Sequence, residues 1–208
     1  MDLSVSEIVG LHDRLPAQWE HHAEPAGRSA NSGGPMALAE LVAAAHFANF
    51  TIWNLEDEAR RRDVGDARIA ALKRSIDPWN QRRNDLMESV DAAVLAHFAQ
   101  VDVSTAELHS ETAGMMVDRL SILALKIRSM ERVAADATAQ GDSSLADECG
   151  QRAATLRVQR QVLADCLARL LEDFAGGRRH FQTYRQLKAY NDPRLNPALR
   201  GAAGKGES

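Results

Sequence analysis

The chain has 208 residues, 45% hydrophobic and 26% charged, a globular balance that excludes wholesale disorder and allows a core held without disulfides or metal. Its formal net charge of −4 at pH 7 offers no electrostatic footing for nucleic acid. Aromatic residues make up only 5%, Ala and Leu are frequent and β-branched residues few, which favours helix.

Between punctuating prolines and glycines, apolar residues recur at helical spacing. A short helix is predicted near residues 4–15, ahead of a loose Pro/Gly/Ser segment at 24–35. A long helix over about 36–60 carries Leu38, Leu41, Ala45, Ala48, Ile52, Leu55 and Ala59 at steps of three and four. The next, about 66–98, carries Ile69, Leu72, Ile76, Trp79, Leu86, Val90 and Val94; Pro78 falls inside it and predicts a kink, because the apolar phase continues across. A third, about 113–139, is apolar on more than one side around Ile122–Leu125 and is expected to be the most buried. A fourth, about 143–175, carries Leu145, Cys149, Leu156, Leu163, Cys166, Leu170 and Phe174. Past Gly176-Gly177 a shorter helix is predicted over about 178–190, and nothing reads as a strand. The other prolines, Pro16 among them, are read as lying outside the helices, and Gly65, Gly114, Gly141 and Gly176-Gly177 as breaks.

Long helices with short breaks predict an all-α fold: an antiparallel bundle of four long helices, with a shorter C-terminal helix and a short N-terminal one. The expected organisation is an N-terminal helix and linker over 1–35, a bundle domain over 36–199 and a disordered tail over 200–208. The longest apolar runs, Leu41–Ala45 and Ala92–Ala96, have five residues, against about 20 for a membrane span. No basic residue precedes Arg14, unlike a secretory leader. Cys149 and Cys166, roughly 25 Å apart at about 1.5 Å per helical residue, are read as reduced core residues, so the cytoplasm is the expected compartment. Residues 178–208 hold seven Lys/Arg and two acids, +5, which leaves −9 for the rest. Such a basic segment docks on the bundle or on a second copy in a homo-oligomer, or seeks phosphate groups.

Three constellations can carry chemistry. The first is cationic. Arg83 takes an apolar slot between Trp79 and Leu86, Arg119 and Lys126 lie two turns apart on the most apolar helix, and Arg60 ends the first long helix. A buried cation needs an acid or an anionic ligand, so these four, with Asn84 and Asp118 beside them, are the candidate ligand-binding residues of a charged interhelical site near Pro78. The plainer reading pairs them with Asp57, Asp77, Asp85 or Asp118. The second is acidic. Asp77, Gln81, Asn84, Glu88 and Asp91 form one stripe, and Glu88 and Asp91, three apart, have the spacing of a divalent-metal pair. Only Glu56 and Asp57 offer a second pair, and these diverge by about 100° around the helix; a solvated polar face is the plainer reading. The third is His46, in line with Asn49, Trp53 and Asp57, a candidate base oriented by the Asp57 carboxylate, or else a structural histidine. No serine or cysteine stands beside it by local spacing, so a nucleophilic triad has no support.

Four strings resemble a bacterial family of unknown function, domain-of-unknown-function family 4254: Trp53-Asn-Leu-Glu-Asp-Glu-Ala-Arg60, Ile76-Asp-Pro-Trp-Asn-Gln-Arg-Arg-Asn-Asp85, Asp118-Arg-Leu-Ser-Ile-Leu-Ala-Leu-Lys-Ile127 and Lys188-Ala-Tyr-Asn-Asp-Pro-Arg-Leu-Asn-Pro197. The chain departs from the family pattern at Pro78, where a non-proline is usual, and at Ala113, where Thr-Pro-Gly is usual. The resemblance implies an all-helical fold, no established activity, and in some bacteria genes beside those of surface-glycan assembly. The function expected is binding of an anionic small metabolite, of phosphorylated-sugar or nucleotide-sugar type, without a cofactor. A phosphate-ester hydrolase dependent on Mg or Mn, using Glu56, Asp57, Glu88 and Asp91, is one alternative; a non-catalytic interaction module is the other.

Overall fold

The computed structural model describes residues 3–20, 36–185 and 194–197. Five helices account for most of it: α1 (Val5–Trp19), α2 (Leu38–Ala59), α3 (Asp66–His97), α4 (Ala113–Ala139) and α5 (Ser143–Ala175). Short connections fold α3 back on α2 and α5 back on α4, and these two hairpins pack on each other as an all-α bundle. Helix α4 touches α1, α2, α3 and α5, as its many-sided apolar pattern requires. Among the described residues no helix is long and apolar enough to cross a membrane.

Local chemistry explains the helix ends. Ser4 and Glu7 form a capping box on α1, with the Glu7 carboxylate accepting the Ser4 N–H at 2.6 Å. Thr112 caps α4 by accepting the Met115 N–H. Ala113 is then the first helical position, where a proline is equally at home. At Gly141 and Gly177 the chain turns left-handed (φ 79° and 66°). Each ends its helix in the same motif: Asp142 N–H bonds to the Ala137 carbonyl, and Arg178 N–H to the Asp173 carbonyl.

Helix α3 runs on through Pro78, as the apolar phase continuing across it predicts. Three expectations need correction. Pro16 lies inside α1, which runs on to Trp19. Gly114 is no break: it is the second residue of α4. Residues 179–181 are not helical. After Gly177 turns the chain, the Arg178 carbonyl takes the Glu107 N–H, and β1 (Glu107–His109) and β2 (Arg179–Phe181) pair in parallel. Phe181 packs edge-on against Phe174, which stacks on Phe98 and so anchors the strand. Residues 186–190 of the expected helix, and most of the basic segment, lie outside the described residues.

The core gathers Leu41 and Val42 of α2, Val90 and Val94 of α3, Met116 and Leu120 of α4, and Leu163, Leu167, Leu170 and Phe174 of α5. Cys149 joins the buried set, but Cys166, expected in the core, is exposed. The start of α4 is set close to α3 by Gly114. Its N–H donates to the Asp91 carboxylate at 2.6 Å, and a methyl group there would stand 2.3 Å from the Met87 carbonyl oxygen. Backbone cannot yield as a side-chain tip can, so Gly114→Ala is expected to lower unfolding stability by about 1–3 kcal/mol. Urea titration of the two proteins checks this, and an unchanged midpoint contradicts it.

Candidate functional site

At the middle of the bundle α2, α3 and α4 meet through a polar chain. Asp118 of α4 is buried, and its carboxylate accepts Arg83 Nε at 2.7 Å and Nη2 at 2.5 Å. The same carboxylate accepts Asn49 Nδ2 at 2.8 Å, and that nitrogen's other hydrogen goes to Ser121 Oγ at 2.9 Å. Ser121 Oγ stands 2.7 Å from Nδ1 of His46, whose Nε2 stands 3.0 Å from the His12 carbonyl oxygen. A carbonyl only accepts, so Nε2 carries the proton and the bare Nδ1 accepts from the Ser121 hydroxyl. Burial lowers the His46 pKa to about 4, which keeps the ring neutral.

A serine thus does reach His46, across 75 residues, but His46 and Ser121 are 0% and 1% exposed, and neither lines the cavities along α4 and α5. Both ring nitrogens are engaged in holding α1, α2 and α4 together. Asp57 is on the surface beside Arg60, so it does not orient His46. The His12 ring lies 4.6 Å from the His46 ring, and Trp19 lies 5.2 Å from it on another side.

The expected cationic gathering divides in the structure. Arg83 is half-buried and neutralised by Asp118, one of the partners the plainer reading allows; the bonds to Asp118 push its guanidinium further up. Asn84 is buried beside it. Arg60 is exposed and pairs with Glu56 and Asp57. Arg119 and Lys126 are exposed too, and the structure does place them together, on one groove between α4 and α5. A buried set of unmatched cations near Pro78 is therefore not what the bundle holds. Among the described residues, four cavities open along α1, α4 and α5, one of them reaching Trp53 of α2, and none of these four takes a lining residue from α3.

The acidic stripe is not one solvated face. Asp77 and Gln81 are exposed, but Asn84 and Asp91 are buried. Burial pushes the Asp91 carboxyl up, while the Gly114 N–H it accepts pulls the other way. Glu56 is bound by Lys73 at 2.8 Å. Among the described residues, no three His, Cys, Asp or Glu side chains gather so as to hold a metal ion.

The groove consists of two adjoining hollows, about 650 and 600 Å³, that share Lys126 and Gln159. One has an apolar lining of Met116, Ile122, Leu123, Val158, Val162 and Leu163, with Arg119, His109 and Glu111 at its edge. The other is bounded by Trp53, Met130, Leu156 and Arg152. Arg119 donates to Glu111 at 2.5 Å, and both side chains face solvent. No acidic side chain among the described residues pairs with Lys126.

Two residues escaped the reading of the sequence. His12 lies on the buried line of α1 with Ile8, Pro16 and Trp19, and Arg160 on that of α5, seven residues from both Ala153 and Leu167. A polar residue in an apolar helical phase was the available signal for both.

A family model described as "Protein of unknown function (DUF4254)" matches residues 39–183, 145 of the 208 residues. Three of the four recognised strings fall inside that range; Lys188–Pro197 falls beyond it. No curated protein and no solved structure matches the chain.

Because His12 and His46 are held neutral, the native state resists protonation that the unfolded chain accepts near its ordinary pKa of 6.5. Both shifts are downward, so this stability is fully present above that value and is lost as the pH falls towards 4. Denaturant titration is expected to show about 2 kcal/mol less stability near pH 5 than near pH 7.5 for His46 alone. A flat profile across that interval contradicts the neutral buried pair.

Proposed function

Since the chain belongs to DUF4254, a family of proteins of unknown function, we propose its function from its own geometry: it binds a small anionic metabolite in the groove between α4 and α5. The ligand class is a phosphorylated sugar or nucleotide-sugar, and the setting is the bacterial cytoplasm, in glycan or specialised-metabolite assembly. What supports this is one arrangement. Lys126, which no acid among the described residues pairs, sits where the two hollows join, with Arg119 two turns away along α4 and Arg152, paired with Glu148, across on α5.

Size and chemistry agree with that class. Each hollow has the volume of a metabolite site, typically about 300–1,000 Å³. The Trp53 ring offers a flat face for a sugar or base, and the aliphatic floor shelters the rest of the ligand. The Arg119–Glu111 pair is solvent-exposed, so Glu111 is a weak counter-ion that a phosphate can replace, with the arginine fork meeting two oxygens.

The test is thermal denaturation with sugar phosphates and nucleoside-diphosphate sugars. At a hundredfold excess over Kd a ligand adds about 2.7 kcal/mol, which for a chain this size raises Tm by about 5–10 °C. The double variant Arg119→Ala/Lys126→Ala is expected to keep its unliganded Tm, since both side chains are exposed, and to lose the shift. No shift with any compound, or a shift that survives the double variant, overturns the reading.

A second reading is favoured by Val158 and Val162, apolar yet 65% and 58% exposed on the wall of the groove. It seats a helix of a second copy there. Sedimentation at rising concentration is then expected to show a dimer that Val162→Glu dissociates; a monomer at every concentration excludes it.

A further inference from the structure

We propose that the small cavity enclosed by α1, α4 and α5, on the other side of the α4–α5 seam from the groove, is a separate binding site for an oxyanion of the phosphate class. It measures about 230 Å³, the scale of a small ion rather than of a metabolite. His12 and Asp13 of α1, Arg128 and Glu131 of α4, and Arg157 and Arg160 of α5 line it, closed by Ala124 and Ile127.

Two observations point to a ligand independently. His12 is 1% exposed, yet neither of its ring nitrogens has a hydrogen-bond partner among the described residues. Buried imidazole nitrogens are nearly always paired, and a side chain left orphaned against a cavity marks the place of a missing partner. The second observation is the guanidinium cluster. Arg160, only 15% exposed, is the buried member of its pair with Asp13, which is 52% exposed; it bonds through Nη1 and Nη2 at 2.6 and 2.8 Å, leaving Nε–H. Arg157 reaches Glu131 through Nη2, and Arg128 reaches Glu20 at 2.7 Å. The lining itself holds three guanidiniums and two carboxylates, Asp13 and Glu131; the third counter-ion, Glu20, meets Arg128 from outside the lining. Planar guanidiniums match the oxygens of a tetrahedral anion, and the imidazole N–H supplies a further donor.

The site is also coupled to protons. Burial holds His12 well below its ordinary pKa, and the neighbouring His46 of α2 and Arg160 of α5 press the same way, while Asp13, Glu131, Arg128 and Arg157 complete the charges around it. An anion seated there favours the imidazolium, so the ring takes up a proton as the anion binds, and affinity rises as pH falls.

The experiment is isothermal titration of the full chain with sodium sulfate and with inorganic phosphate at constant ionic strength, chloride being the control. Sulfate stays a dianion throughout, so its pH dependence reports the protein. One saturable site is expected, with tighter sulfate binding near pH 5.5 than near pH 7.5. His12→Phe, which keeps a flat aromatic ring but removes both nitrogens, and Arg157→Ala, whose side chain is 55% exposed, are each expected to weaken binding tenfold or more. Arg119→Ala/Lys126→Ala is expected to leave it unchanged, which separates this site from the groove. No saturable binding beyond the chloride control overturns the proposal. So does sulfate binding that neither His12→Phe nor Arg157→Ala weakens.

Discussion

A charge in the middle of a helical bundle has to be answered by donors from its neighbours, and Asp118 imposes that requirement here. Its carboxylate is buried on α4, and it is satisfied only where Arg83 of α3 and Asn49 of α2 both reach it. Hydrophobic burial holds helices together but is tolerant of rotation and sliding; a charge that must keep three N–H partners is not. The chain extends through Ser121 to His46 and the His12 carbonyl, so α1 is set against α2 by the same network. One carboxylate thereby constrains how four helices meet.

That arrangement leaves the α4–α5 seam with two unlike sides. On one, α1 lies across it and encloses a small polar cavity against His12 and Arg160. On the other, no described helix covers it, and the gap becomes an open groove with an apolar floor and a cationic edge. The difference follows from the residues each side presents. Arg160 occupies an interior phase of α5 and is answered by Asp13 from the covering helix. Val158 and Val162 lie on the outward phase and meet no such helix.

Cations within the bundle and cations on its surface do different physical work. Arg83 is desolvated and tied to a buried acid; displacing Asp118 from it would strand a charge, which suits it to architecture. Arg119 and Lys126 keep their solvent, so they can exchange water or a weak counter-ion for a ligand at little cost. His46 with Ser121 has the bond pattern of a base and a nucleophile, but sealed from any substrate it serves to join helices.

Periodicity alone located α2 to α5 nearly to the residue, because a 3.6-residue repeat with glycine at the ends is a local property that needs no partner. The membership of the family was legible in the same way, in strings along α2, α3 and α4. What the sequence left open is everything that depends on which residue lies across from which. Arg83 sits in an apolar phase whether Asp118 meets it or not, and only the packing of α3 against α4 made that pair. The strand at 179–181 forms because Arg178 finds Glu107, 71 residues away, and not because of its own propensity. His12 looked like any helical histidine until α1 settled over α4 and α5 and left its ring facing three arginines. Helices follow from neighbours along the chain, whereas the sites follow from neighbours in space.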